Sequence, residues 1–171
     1  MSKRTILIAP DPKLKAVAKD VVQVDDDIRK LSDDMLETMY EAKGVGLAAV
    51  QIGVPLRLLV MDVDQNDQDD TKKPWVVVNP KIVWESEEWA VGEEGCLSVP
   101  DIWEEVERPA KVRVEYLDRD GQAQTIEADG MLAVCLQHEI DHLGGTLFID
   151  HLSRLKRAMV LKKLAKKQRE G

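Results

Sequence analysis

The residues best suited to chemistry are His138 and His142, which stand four positions apart with Glu139 directly after the first of them. On a helix, residues at this spacing lie one turn apart on the same face. Two imidazoles placed in this way can bind one divalent metal, at distances near ~2.0–2.1 Å for zinc. Glu139 can then act as a general base toward a water on the metal. The pattern favours a metal site over the alternative of two helical histidines without a ligand.

A metal site that keeps one position open for water needs a third protein ligand besides His138 and His142. One class of metalloprotease has a histidine six residues after the second one, but Phe148 occupies that position here. The remaining histidine, His151, lies nine residues after His142 and does not fit that spacing.

Cys96 is the better candidate for the third ligand. A thiolate is a strong, soft ligand, and the neighbouring Gly95 allows close approach of the backbone. The alternative is that Cys96 is an inert core thiol, which is the common state of a single cysteine. Cys135 lies three residues before His138, and we interpret it as core or pocket wall rather than as a ligand.

A third motif, Gly-Val-Gly-Leu-Ala-Ala-Val-Gln, covers residues 44–51. Its small residues allow another chain or a ligand to lie close to the backbone. It lacks the Gly-Lys-Ser/Thr ending of a phosphate-binding loop. Taken alone, Gln51 is equally well explained as a buried amide bonded to backbone groups.

The elements that must position these residues indicate an α+β fold. Helices are predicted over 25–43, 130–143 and 153–169, each with a capping residue or glycines at its ends. Strands are predicted over 56–63, 75–79, 82–89 and 111–117, and residues 122–129 return as a hairpin partner after the turn at 118–121. This order predicts mostly antiparallel sheet with few helices packed on it.

Composition excludes several classes of protein. The chain has 171 residues, of which 44% are hydrophobic and 33% charged, so we expect one soluble globular domain over residues 1–171. No apolar run is long enough for a membrane span or a signal peptide, and the predicted compartment is the cytoplasm. Two cysteines cannot form a disulfide framework.

Charge is unevenly distributed along the chain. The net charge is −8, but residues 154–171 carry eight basic side chains and one acidic one. The rest of the chain is therefore strongly acidic, which argues against nucleic-acid binding by that part. The basic C-terminal helix predicted over 153–169 could contact a polyanion by itself.

Three motifs in one chain, at 44–51, at 94–98 (Glu-Gly-Cys-Leu-Ser) and at 137–142 (Gln-His-Glu-Ile-Asp-His), resemble those of the bacterial-type peptide deformylase family. The resemblance covers essentially the whole chain. It implies a hydrolase that removes the formyl group from N-formylmethionine on nascent polypeptides, releasing formate. It also implies sheets packed around a central metal-binding helix, with Fe(II) as the natural metal and Zn, Ni or Co able to occupy the site.

The resemblance implies a role for each matching residue. Cys96, His138 and His142 become the metal ligands, and Glu139 becomes the general base and then the acid. The Leu97 backbone N–H and the Gln51 amide become donors to the oxyanion. The residues expected to border the substrate are Gly44, Val45, Gly46, Glu94, Gly95, Met131, Val134 and Cys135.

The chain departs from the family pattern at Trp103, where many members have arginine, and at Gly92, where a larger apolar residue is common. Trp103 could stack on the substrate peptide, and Gly92 would open one pocket wall. A further hypothesis pairs Asp141 with Arg108, which would join the cysteine segment to the ligand helix.

The expected partners are nascent formyl-Met polypeptides and the ribosome, contacted through the basic C-terminal helix. No membrane and no specific DNA partner are expected. Two alternatives remain at this point. One is a His-Glu-x-x-His endopeptidase in which Cys96 is irrelevant, and the other is a non-catalytic ribosome-associated module with a structural metal.

Overall fold

The computed structural model describes residues 3–65 and 72–170, and its elements confirm the predicted α+β class. Helices and strands are mixed along the chain, and every strand pair is antiparallel. The elements in chain order are α1 (Asp26–Glu41), β1 (Gly46–Ala48), β2 (Leu58–Met61), β3 (Trp75–Glu85), β4 (Trp89–Cys96), β5 (Val99–Pro109), β6 (Val112–Leu117), β7 (Ala123–Ala128), α2 (Gly130–Leu143) and α3 (Arg154–Glu170).

Five strands form the larger sheet, in the order β1-β2-β3-β6-β7. The sequence predicted separate strands over 75–79 and 82–89, and this was wrong, because β3 runs through the gap without a break. Asn79 adopts a positive φ of 51°, and the register with β6 shifts between Val78 and Lys81. An irregularity of this kind lets a strand pass Pro80, which has no N–H to donate, without ending.

A separate two-stranded sheet is formed by β4 and β5. The sequence did not predict this hairpin, and part of β4 was assigned to another strand. Its connection is short, since Cys96 at the end of β4 pairs with Val99 at the start of β5. The hairpin therefore presents Cys96 at its tip.

Helix α2 has the predicted bounds and packs on the larger sheet. Its Ala133, Leu136 and Leu143 are buried in one apolar cluster with sheet residues such as Met61 and Val114. The other side of α2 buries polar residues instead, including His138, Glu139 and His142. Buried polar groups are costly unless they are paired or hold a metal, so this side of the helix is where function is expected.

Helix α3 begins where the sequence predicted, after Ser153, whose Oγ accepts the backbone N–H of Lys156. It is anchored by Val160 and Leu164, which are buried in a cluster with Val99 and Phe148. No helix within residues 3–65 and 72–170 is long and apolar enough to cross a membrane. The basic helix is thus an integral part of the fold rather than an appended tail.

Candidate metal centre

Three predicted ligands meet between the β4–β5 hairpin and helix α2. One ligand atom from each of Cys96, His138 and His142 lies within 4.8 Å of the other two. The Cys96 Sγ is 3.4 Å from His142 Nε2. The endopeptidase alternative left Cys96 outside the site, whereas the structure places it beside both histidines.

The protonation state of His142 fits a divalent metal. Burial lowers the pKa of His142 well below its ordinary value, and the nearby His138 lowers it further. His142 is therefore neutral, which is the form in which imidazole binds a metal. One thiol and two imidazoles suit zinc or iron and leave a fourth position open for water.

Glu139 is buried beside the three ligands, but its position differs from theirs. Its Oε2 is 3.9 Å from His138 Nε2, and its Oε1 has no hydrogen-bond partner among the described residues. Burial raises the pKa of Glu139 to about 7. A carboxyl group with this pKa can both take up and return a proton near neutral pH.

Gly46 is required by the close approach of β1 to helix α2. A Cβ at residue 46 would lie 2.6 Å from Glu139 Oε2 and 2.9 Å from Cys135 Sγ. Cys135 is buried, and its thiol lies 3.7 Å from the carbonyl oxygen of Val45. The structure therefore places Cys135 behind the glycine motif, in the buried interior.

Gln51 lies next to Cys96 in the buried interior. Its Oε1 accepts the backbone N–H of Ala48 at 2.8 Å, which fixes the side chain. Its Nε2 donates to Ser98 Oγ at 3.0 Å and lies 3.5 Å from Cys96 Sγ. The amide thus has its donor end at the metal centre, and its proposed donation to an oxyanion stays a prediction.

A cavity of about 370 Å³ opens onto the centre. The glycine motif forms one side and the tip of the β4–β5 hairpin forms the other. The predicted residues that line it are Gly44, Val45, Gly46, Gly95, Cys96, Leu97, His138 and Glu139, and sequence reasoning missed Ala42, Lys43, Pro100 and Asp101.

Trp103 also lines this cavity, with 64% of its surface exposed. Its ring lies against the backbone of Gly95, where a Cβ would be only 2.7 Å from the ring carbons. The ring therefore forms part of the mouth of the cavity. The family resemblance marked residue 103 as a departure from the common pattern, but it did not show which residues the Trp103 ring contacts.

Four of the predicted substrate-binding residues do not line this cavity: Glu94, Met131, Val134 and Cys135. Val134 lines a neighbouring cavity of about 400 Å³, to which Gly92 also contributes. No described atom lies within 4 Å of a Cβ built on Gly92, so this wall is open, as expected. Met131 is 62% exposed at the start of α2.

Glu94 also lies outside the mouth. It was expected to border the substrate, but its side chain is buried behind His138. Arg108 donates to both oxygens of Glu94, at 2.7 and 2.9 Å, and to Asp141 Oδ2 at 2.8 Å. The predicted contact between Asp141 and Arg108 is confirmed, and Glu94 is the partner that the sequence did not indicate.

Burial by itself would raise the pKa of Glu94, but hydrogen bonds from His138 and Arg108 outweigh it and lower that pKa to about 2. Glu94 is therefore ionised. The ring of Phe148 stacks on His138 at a centroid distance of 5.8 Å. The orientation of His138 is thus set by a carboxylate at Nδ1 and by an aromatic ring against its face.

Comparisons with known proteins agree on one family. Residues 3–158 match the family model described as polypeptide deformylase. The chain is 57% identical to peptide deformylase from Bartonella tribocorum over 170 residues, covering 99% of this chain and 96% of that protein. It is 59% identical to peptide deformylase from Methylocella silvestris over 167 residues, covering 97% and 85%.

Solved structures show the same likeness. The crystal structure of peptide deformylase from Ehrlichia chaffeensis superposes with a TM-score of 0.93 at 46% identity, covering 99% of this chain and 98% of that one. The structure of peptide deformylase from Ehrlichia chaffeensis in complex with actinonin gives a TM-score of 0.92, covering 99% of each chain. The fold therefore matches proteins of known structure over nearly the whole chain.

Proposed function

The chain belongs to the peptide deformylase family, metal-dependent hydrolases that remove the formyl group from N-formylmethionine on nascent polypeptides, and we propose that Cys96, His138 and His142 hold the metal. The observation that carries this proposal is the convergence of the three ligand atoms within 4.8 Å. The hairpin would supply the thiolate and helix α2 both imidazoles, so two separate elements of the fold would hold the ion.

We propose Fe(II) as the natural metal, with Zn, Ni or Co able to take its place. When bound, such an ion lowers the pKa of a water molecule and polarises the formyl oxygen. The neutral His142, and Glu139 Oε1 without a hydrogen-bond partner among the described residues, support a divalent ion at this site. A thiolate beside two imidazoles is also a donor set that either iron or zinc accepts.

Glu139 is the proposed general base. It takes a proton from the attacking water as the oxygen bonds to the formyl carbon. It then returns that proton to the amine nitrogen as the carbon–nitrogen bond breaks, and formate leaves. A pKa of about 7 suits a group that must perform both transfers.

Gln51 and the Leu97 backbone N–H are the proposed donors to the oxygen on which negative charge develops. Both lie beside Cys96, Gln51 through its Nε2 and Leu97 as the next residue of the chain. A hydrogen-bond donor that is already positioned toward such an oxygen typically lowers the activation barrier by ~3–4 kcal/mol.

The substrate backbone is proposed to lie between Gly44–Gly46 and Gly95–Leu97, which form the two sides of the mouth. The methionine side chain would then enter between α2 and β4, beside Met131, Val134 and Cys135. Apolar walls suit a flexible thioether, and the space at Gly92 leaves room around it.

The direct test uses protein purified without oxygen, with bound metal and formate release measured on the same sample. We expect about one iron per chain and formate release from formyl-Met-Ala. Acetyl-Met-Ala is the matched control, and it should not be hydrolysed. Metal-loaded protein that releases no formate would contradict the proposed site. Active protein that contains zinc and no iron as purified without oxygen would contradict iron as the natural metal.

We further propose that the protein works in the cytoplasm and contacts the ribosome through α3, whose exposed basic residues would face RNA phosphate. The exposed cations on this helix include Arg154, Lys156, Lys162, Lys163 and Lys166. An acidic body would be repelled by the same surface, so the molecule would approach with α3 first.

Deleting α3 would be a poor test, because Val160 and Leu164 belong to the core. We therefore expect the triple substitution Lys156→Glu, Lys163→Glu and Lys166→Glu to weaken cosedimentation with ribosomes at least about tenfold at low salt. Turnover of formyl-Met-Ala should be unchanged. The matched control makes the same change of net charge at three lysines outside α3, with Lys13→Glu, Lys30→Glu and Lys81→Glu. It should still bind ribosomes. Equal losses of ribosome binding in the two triple variants would show that α3 has no special role in that contact.

A further inference from the structure

The third histidine of the chain, His151, lies outside the ligand set but is connected to it by a continuous series of hydrogen bonds. His151 Nε2 is 2.8 Å from Asp141 Oδ2, which also accepts from Arg108 Nη1 at 2.8 Å. Arg108 donates to both oxygens of Glu94. Glu94 Oε1 in turn lies 2.9 Å from His138 Nδ1.

The direction of each hydrogen bond follows from the chemistry of the partners. An ionised carboxylate can only accept, so His138 carries its proton on Nδ1 toward Glu94. The lone pair of His138 Nε2 is then directed at the metal position. By the same reasoning, His151 donates through Nε2–H to Asp141 Oδ2, which also accepts from Arg108.

Arg108 is a single cation shared by two carboxylates, and the two have different surroundings. The Glu94 side chain is 4% exposed, whereas that of Asp141 is 28% exposed. Water therefore competes with Arg108 for hydrogen bonds to Asp141 much more than for those to Glu94. A second donor on Asp141 Oδ2 opposes rotation of that carboxylate toward solvent, and His151 supplies this donor.

A short helix over Phe148–His151 carries His151 and contacts the site at two points. Phe148, at its start, stacks on the ring of His138, and His151, at its end, contacts Asp141. Between them, Asp150 pairs with Lys15 at 3.0 Å and with Arg157 at 2.8 Å. These ion pairs hold the segment in place independently of His151.

We propose that His151 is a positioning residue for the metal centre: through Asp141 and Arg108 it keeps Glu94 on His138 Nδ1 and so fixes the plane and tautomer of that ring. This inference rests on the proposed ligand role of His138. Its consequence is that an exposed side chain, outside the substrate cavity, governs how firmly the metal is held.

The test uses the zinc-loaded full-length chain, labelled at histidine and compared by NMR with its variants. Because the chain has three histidines, each imidazole can be assigned. We expect His151→Ala to shift the Nδ1–H resonance of His138 and to weaken zinc affinity, measured by competition with EDTA, about tenfold, the lower end of what losing an outer partner of a metal ligand typically costs. His151→Gln should restore both, since its amide can still donate to Asp141.

Two controls separate positioning from general loosening of the segment. Lys15→Ala removes an ion pair of the same short helix without reaching Asp141, and it should change neither readout. In an Asp141→Asn background, adding His151→Ala should have no further effect. The proposal would be overturned if His151→Ala kept the zinc affinity of the wild type and left the His138 Nδ1–H resonance unmoved. It would also be overturned if His151→Ala had the same effect in the Asp141→Asn background as in the wild type. If wild-type zinc is not bound by His138, the ligand assignment itself fails, which is visible before any variant is compared.

Discussion

Replacing Glu139 with alanine is expected to lower formate release by about 10²–10⁴-fold while leaving the metal bound. The reason is positional: Glu139 lies beside the ligand atoms without being among them. The variant loses the group that moves the proton but keeps the cysteine and both imidazoles. Bound metal and formate release should be measured on the same preparation.

The matched control for this prediction is Glu93→Ala, which removes an exposed carboxylate from β4 and should leave both quantities unchanged. Glu139→Gln should resemble Glu139→Ala, because an amide fills the same space but cannot accept the proton. An active Glu139→Gln protein would refute the general-base assignment. Loss of metal from either Glu139 variant would instead indicate that this residue is a ligand.

Replacing Cys96 with alanine is expected to abolish metal binding and formate release together. Loss of an outer partner of a metal ligand already costs 10–100-fold in affinity, so loss of a ligand should cost more than about 100-fold. The two remaining imidazoles lie on one face of α2 and cannot by themselves surround an ion. The measurement is metal content after dialysis against metal-free buffer, followed by titration with zinc.

The other cysteine provides the control. Cys135 is buried beside the glycine motif, and its thiol is not one of the three grouped ligand atoms. Cys135→Ala should therefore retain one metal per chain. If Cys96→Ala also retained its metal and its activity, the third ligand would have to be sought elsewhere in the site.

The sequence predicted helix α2 and the placement of its two histidines well because local chemistry determines both. Gly130 and Gly144 set the ends of the helix. The four-residue spacing of His138 and His142 places both side chains on one face. Helix α3 was predicted for a similar reason, since Ser153 is a good capping residue followed by helix-forming lysines and leucines.

The β4–β5 hairpin could not be predicted in this way. In its register, Glu93 lies opposite Glu105 and Glu94 lies opposite Glu104. Like charges facing each other disfavour a strand pair, so no rule about side-chain pairing would have aligned them. Arg108 compensates for this by binding Glu94 within the hairpin, at a spacing that a rule about directly opposed residues does not cover.

The contacts of the segment at 148–151 were missed for a different reason. Phe148 was considered only as a residue that cannot bind metal, and His151 only as one at the wrong spacing. Their actual contacts, with His138 and Asp141, depend on how the chain folds back after Gly145. Spacing along a chain identifies ligands, whereas the groups that orient those ligands come from distant parts of the sequence.

The two sheets have a consequence for how the protein holds together. Cys96 belongs to the small hairpin sheet, while His138 and His142 belong to the helix packed on the large sheet. An ion held by all three is therefore a cross-link that closes the long loop from residue 96 to residue 138. A covalent link closing a loop of this length removes chain entropy worth about 4 kcal/mol from the unfolded state. Removing the ion should accordingly expose the amides of the hairpin to hydrogen exchange earlier than those of the large sheet.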